Sequence, residues 1–260
     1  MLKTTLAAAV SLVALPLASA HAATVVALVG DNMLVTVDTA TMAPAAPVTV
    51  SGVEGKLLGI DVRPADKMLY GLFADGTVAT IDPATGAATT VDTLKMVPPA
   101  DATVTVDFNP AADAMRIMGS DGTSLRTKFV DGAVTEDGRH KFADGDMLSG
   151  TPNIVAGAYT NSYAGTETTA LYNIDATAGA LVKQDPPNDG TLVGVGKLGV
   201  AISGPVAFDI LSDGQGGNQA FMMSGNTLYS VNLETGAATE AAKVDAAQAP
   251  VRDFAVMPAM

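Results

Sequence analysis

Between Leu57 and Leu94 the chain alternates short apolar runs with polar reversals, reading LLGIDVRPADKMLYGLFADGTVATIDPATGAATTVDTL. Four runs are separated by Arg-Pro-Ala-Asp, Ala-Asp-Gly and Asp-Pro-Ala-Thr-Gly. Each run has the length of a strand and is rich in β-branched residues, and each gap supplies Pro, Gly or Asp where the chain must turn. The pattern predicts a four-stranded antiparallel meander the size of one propeller blade. No stretch beyond the N-terminus carries an amphipathic helical period of useful length, which points to an all-β chain.

The unit recurs in degraded form. Its first run is echoed by Val104–Phe108, Val155–Tyr159, Val206–Ile210 and Val251–Ala255. With Asp61, Asp107, Ala158, Asp209 and Asp253 as equivalent positions, the spacings are 46, 51, 51 and 44 residues. Such a period with four strands per unit is that of a propeller and not of a helical solenoid. The turn Asp82-Pro83-Ala84-Thr85-Gly86 returns as Asn232-Leu233-Glu234-Thr235-Gly236. In both, the Asp or Asn is expected to accept backbone N–H bonds and the Gly to take the positive φ.

The two ends complete each other. Residues Thr24 to Val50 offer three strands without the inner run, and Val251 to Met257 offers a lone inner run. The expected fold is a five-bladed β-propeller whose C-terminal strand closes the N-terminal blade, since an open ring leaves strand edges that template aggregation. The alternatives are six blades, with extra strands from Asn188–Ser203, or an irregular β-sandwich.

Residues 1–22 read as a signal peptide: a basic start at Lys3, an apolar run from Leu6 to Leu17, and small-x-small cleavage sites at Ala18–Ala20 and Ala20–Ala22. The run is too short to cross a bilayer, which takes roughly 20 apolar residues. Residues 23–260 then form one domain, periplasmic or secreted, expected to be monomeric. The chain has no cysteine, so its stability must come from a packed core. Its formal charge is −13, and loss of Lys3 with the leader leaves 13 basic against 27 acidic residues. That surface repels nucleic acid and anionic lipid. The absence of tryptophan counts against a sugar-stacking cleft.

Few residues suggest chemistry. Gly194-Val195-Gly196-Lys197-Leu198-Gly199 matches the spacing of a dinucleotide loop, but Val200 to Pro205 cannot open the helix that such a loop requires. These glycines are expected in an outer strand and a linker. His140, the one histidine left after cleavage at Ala22, is expected to be a solvated loop residue. No Ser-His-Asp set and no zinc-ligand pattern occurs. The acidic stretch with Asp131, Glu136, Asp137, Asp144 and Asp146, and the loop Asp213–Asn218, suit solvated turns better than calcium loops. The remaining candidates are Asp61, Asp107, Asp209 and Asp253 on four of the five inner runs. Two roles compete for them: a carboxylate ring that attracts a cation, and carboxylates that accept backbone N–H bonds from their own turn or the next blade. The second is favoured, because a residue repeated in nearly every blade serves the blade.

The segments GIDVRPADKMLYGL, TIDPATGAAT, DFNPAADAMRIMGSDGTSLR, AYTNSYAGTETTALYNIDATAGALVKQDPPNDGTL and AFDI resemble, in order, the bacterial secreted family catalogued as domain of unknown function 4394. The likeness covers nearly the whole mature chain, and departs at Asp113-Ala114-Met115-Arg116, where the family commonly has Asp-Arg-Ile-Arg. It implies an exported propeller and brings no catalytic residues. The expectation is thus a non-catalytic module that binds a protein or a small molecule, without a cofactor. The alternative is a Ca²⁺-dependent hydrolase or lactonase-like propeller enzyme.

Overall fold

The computed structural model describes residues 24–38, 43–243 and 250–257. The leader assigned to residues 1–22 lies outside them. The described residues form five small sheets, one per blade. Blade 2 holds β5 (Leu57–Val62), β6 (Leu69–Phe73), β7 (Thr77–Ile81) and β8 (Ala88–Thr93), paired in sequence order. Blade 3 holds β9 (Val104–Asn109), β10 (Ala114–Gly119), β11 (Ser124–Thr127) and the short β12 (Thr135–Glu136). Blade 4 holds β14 (Ile154–Tyr159), β15 (Leu171–Asp175), β16 (Ala180–Gln184) and β17 (Thr191–Lys197), and blade 5 holds β18 (Val206–Ser212), β19 (Asn218–Ser224), β20 (Thr227–Val231) and β21 (Ala238–Lys243).

Blade 1 is the composite one. β22 (Val251–Met257) pairs antiparallel with β1 (Thr24–Val29), Thr24 opposite Met257 and Ala27 opposite Phe254. β1 continues to β2 (Met33–Asp38). The outer position is shared by β3 (Ala43–Pro44) and β4 (Val48–Thr49), both paired with β2. Pro44 and Pro47 have no N–H to give to a ladder, which accounts for the interruption. The inner strands β22, β5, β9, β14 and β18 pack in turn around the ring, and β18 meets β22 to close it. Arg252 adds a second tie, donating to the carbonyls of Gly30 and of Leu57 in the next blade.

The turns follow their residues. Asp82 accepts the N–H of Ala84 and Thr85, Asn232 those of Glu234 and Thr235, and Gly86 and Gly236 take φ of 75° and 77°. Gly194 and Gly196 lie in β17, an outer strand, and Leu198 onward is linker.

The core lies between blades. Leu28, Leu57, Ile60 and Phe73 fill the junction of blades 1 and 2. Tyr70, Phe108, Met115 and Leu125 fill that of blades 2 and 3, where Tyr70 meets the edge of Phe108 at 5.2 Å. Ile174, Phe208 and Met222 serve blades 4 and 5. The junction of blades 3 and 4 differs, with an apolar cluster of only Met118, Tyr159 and Leu171.

One element has no counterpart in the other blades. After β12 the chain crosses to blade 4, where β13 (Lys141–Phe142) pairs parallel with β17. This strap, Asp137 to Phe142, overturns the expectation for His140. The imidazole is buried, at 8% exposure, because the strap lies pressed between two blades and not in a free loop.

Deleting Pro250 to Met260 removes an inner strand, frees the paired edge of β1 and uncovers the packed faces of β5 and β18. The thermal midpoint, followed by circular dichroism, is expected to fall by about 10 °C or more. An unchanged midpoint would show that closure does not carry the stability.

Candidate functional site in the central channel

Each inner strand runs along the channel with one edge facing it, so backbone N–H groups there have no strand to pair with. The repeated aspartates meet this demand. Asp253 in blade 1 accepts from Ile60 N–H in blade 2 at 2.9 Å, and Asp61 in blade 2 accepts from Phe108 N–H in blade 3 at 2.7 Å. Asp107 in blade 3 accepts from Tyr159 N–H in blade 4 at 3.1 Å, and Asp209 in blade 5 accepts from Val256 N–H in blade 1 at 2.8 Å. Every bond reaches one blade forward. The second oxygen of Asp61, Asp209 and Asp253 accepts the N–H of the following residue, Val62, Ile210 and Phe254.

Local sequence makes room for this. A Cβ on Gly59 would lie 2.8 Å from Asp253 Oδ2 and 2.9 Å from Val106 Cγ2. Glycine therefore lets the carboxylate reach Ile60. Ala158 has no acceptor, so the junction of blades 4 and 5 lacks the latch. There Asn161 and Asn218 pair across the blades instead, Asn161 N–H to Asn218 Oδ1 at 2.8 Å and Asn218 Nδ2 to Asn161 Oδ1 at 2.9 Å. Asn161 accepts this geometry at φ 55°, a left-handed value that asparagine tolerates. Nothing in the local sequence marks this clasp.

The four carboxylates are buried, and burial is the first cause of their altered acidity. Asp61 and Asp107 are held well above the usual carboxylate range by desolvation, then by repulsion from the other channel aspartates. Desolvation raises Asp209 to about 6, with the Val256 and Ile210 N–H groups pulling the other way. It raises Asp253 to about 8 against the pull of Ile60 N–H, with Asp209 adding to the rise. One oxygen each from Asp61, Asp107 and Asp209 lie within 4.8 Å of one another. Among the described residues this is the only such trio of metal-ligating side chains.

The other candidates are dispersed. Asp137 is buried between Arg116 and Arg126. Asp146 accepts from Leu148 N–H and Gly194 N–H, and Asp213 from Gln215 N–H and Gly217 N–H, as turn residues do. Glu136 and Asp144 are exposed, and Asp131 sits in a turn at φ 52°. Sequence reasoning missed Arg116, which is 1% exposed and donates to Tyr159 Oη, Ser124 Oγ, Asp137 and Asn188 Oδ1. Its signal was an arginine inside the apolar run AMRIMG, since a buried cation must be paired.

Five sheets in a closed ring, latched across the channel by side-chain carboxylates, define a five-bladed β-propeller. The chain belongs to the family described as Domain of unknown function (DUF4394), whose model matches residues 33–255. No curated protein matches it. A protein of unknown function from Bacteroides thetaiotaomicron VPI-5482 is 17% identical with a TM-score of 0.53, over 92% of this chain and 66% of that one. This chain thus spans just under two thirds of that structure, and the likeness is one of fold. A protein of unknown function from Bacteroides caccae is 12% identical with a TM-score of 0.44, over 85% of this chain and 73% of that one.

Asp107→Ala removes one interblade latch and leaves Tyr159 N–H unpaired, which is expected to cost about 1–3 kcal/mol in urea unfolding. The ring also sets a pH dependence. The folded protein holds protons that the unfolded carboxylates release near 3.8. The resulting stability is full below that value and is lost as pH rises through about 6 for Asp209 and about 8 for Asp253. Urea midpoints should therefore fall between pH 5 and pH 9, and Asp253→Asn should flatten the upper part of the curve. A midpoint that rises over this range would contradict the channel electrostatics.

Proposed function

We propose that the protein is an exported, non-catalytic propeller, monomeric in the periplasm or outside the cell, that binds a protein or small-molecule ligand through its loops. The observation that carries this reading is the commitment of the channel aspartates to backbone N–H groups of neighbouring blades. A carboxylate so engaged holds the ring together and is poorly placed to act as a general base or nucleophile. Binding then falls to the loops, which differ from blade to blade where the inner strands do not. Of the connections that follow inner strands within blades 2 to 5, Thr160–Ala170 is the longest. It is rich in Thr, carries Asn161 and Tyr163, and is braced from within by Asn161 Nδ2 to the Thr168 carbonyl and Thr169 Oγ1 to the Thr160 carbonyl. No helix among the described residues is long and apolar enough to cross a membrane. Export rests on the leader-like residues 1–22.

A panel of small molecules and glycans, screened by thermal shift, is expected to give a hit lost in Tyr163→Ala while the unliganded midpoint is kept. Turnover abolished by a single channel substitution would overturn the reading.

The approach of Asp61, Asp107 and Asp209 favours a second reading, a Ca²⁺-dependent hydrolase or lactonase with the ion at the channel. Three hard oxygen donors are the chemistry that calcium takes, and an ion would relieve their mutual repulsion. On that reading Ca²⁺ raises the melting temperature of the wild type and not of Asp61→Asn/Asp209→Asn, the calcium-dependent shift being compared within each protein. A null shift in the wild type removes it.

A further inference from the structure

The junction of blades 3 and 4 is the polar one. The apolar cluster its two blades share is the small one of Met118, Tyr159 and Leu171, and the buried Arg116 links Tyr159, Ser124, Asp137 and Asn188 across it. Among the described residues, four buried side-chain polar atoms have no hydrogen-bond partner: Thr105 Oγ1, Asn173 Oδ1 and both ring nitrogens of His140. All belong to this junction. Thr105 lies opposite Met118 in the β9–β10 ladder, and a Cβ added to Gly157 would strike both Met118 Cε and Asn173 Oδ1.

His140 sits on the strap that spans the junction. Its own N–H donates to the Gly122 carbonyl of blade 3 at 3.2 Å, and the next N–H, of Lys141, donates to the Gly190 carbonyl of blade 4 at 3.0 Å. Gly138 N–H donates to the Asn188 carbonyl at 2.9 Å. The packing is close, since a Cβ on Gly138 would strike the Asp189 backbone and one on Gly190 the Gly138 and Arg139 carbonyls. With Asp137 N–H donating to the Ser124 carbonyl of blade 3 at 2.9 Å and β13 paired to β17, the strap ties both blades through backbone bonds on either side of one imidazole.

We propose that His140 is an acid-sensitive catch on this strap: protonation of the buried imidazole, which has no acceptor for its protons and faces the Arg116 guanidinium, releases Asp137–Phe142 from the blade 3–blade 4 junction. The charged groups around it are Arg116 from β10, Asp121 from the β10–β11 turn and Arg139 on the strap itself. Asp121 is the sole acid among them, and it is engaged by Arg139 and Thr123. Asp137 is already shared by Arg116 and Arg126. From blade 4 the strap meets the backbone of Asn188, Asp189 and Gly190, the Asp189 carboxylate being exposed. Burial, then the Arg116 charge, lowers the imidazole from 6.5 to about 4. An opened strap returns it to water and to its ordinary value. The closed strap therefore loses ground as pH falls from the ordinary value towards the lowered one. The direction is opposite to that of the channel carboxylates, so the two responses separate by location.

The test is backbone amide exchange of the full mature chain, corrected for intrinsic rates, at Gly138, His140 and Lys141. Between pH 7.5 and pH 5 their protection is expected to fall about 30-fold in the wild type and to stay level in His140→Phe. Superimposable profiles for the two proteins, or an equal loss of protection in blade 2, would overturn the proposal. Should His140→Phe not fold, His140→Gln takes its place, and an NMR titration of the His140 ring in the wild type decides independently. A midpoint near 6.5 there also overturns it.

Discussion

The carboxylate that reaches forward to the next blade's backbone is the constraint on which the ring depends. A propeller sheet satisfies its own backbone through the ladder, except at the inner edge, where N–H groups face the channel and not another strand. A side chain must supply the acceptor. Aspartate is short enough to do so from the adjacent inner strand, and at Asp61, Asp209 and Asp253 it also accepts its successor's N–H, which fixes the rotamer. The cost is a set of buried acids, whose acidity desolvation weakens, and the chain offsets it with backbone N–H groups rather than by pairing them with bases. Among the described residues, the one basic side chain whose charge lowers any of them is Arg252, acting on Asp253.

This latch explains the rest of the inner ring. Gly59 is small because Asp253 passes over it. The closure of blade 1 is not merely a strand pairing, because β22 carries both an acceptor to blade 2, at Asp253, and a donor to blade 5, at Val256. Where blade 4 has Ala158, the clasp moves outward to Asn161 and Asn218, at the ends of β14 and β19. The substitution is physically reasonable. A neutral amide pair joins two blades without adding a fifth buried carboxylate to a channel in which three already approach within 4.8 Å.

Much of this was legible in the chain. The period of the inner runs, the Asp or Asn turns and the incomplete ends give five blades and their closure, because each is a local pattern repeated at a fixed interval. The role of the repeated aspartates was legible as a class, though their partners in the next blade were not. What escaped was everything that occurs once. β13 is two residues long and adds to the outer edge of blade 4 in parallel, ahead of that blade's own strands, so it has no periodic echo. The contact of Arg116 with Asn188 spans 72 positions, and nothing local marks either residue as the other's partner. His140 looks solvated in the sequence for the same reason: polar neighbours such as Asp137, Arg139 and Lys141 describe a loop, and the tertiary strap buries it.

The irregular junction also shows how the fold divides its labour. Four junctions rest on broad apolar contact, that of blades 5 and 1 through Val29, Val35, Met223 and Phe254, and the ring would be uniform if the fifth did likewise. Instead blades 3 and 4 meet through a buried guanidinium, its carboxylate and a strap of backbone bonds. Such contacts are directional: they hold one arrangement well and tolerate little displacement, whereas apolar faces can slide and repack. They also respond to charge, which apolar faces do not. An acidic ring at the axis that tightens on taking up protons, and a basic junction off the axis that loosens on doing so, give one small all-β chain two opposed electrostatic regimes. The difference follows from sign alone, because the same burial that raises a carboxylate lowers an imidazole.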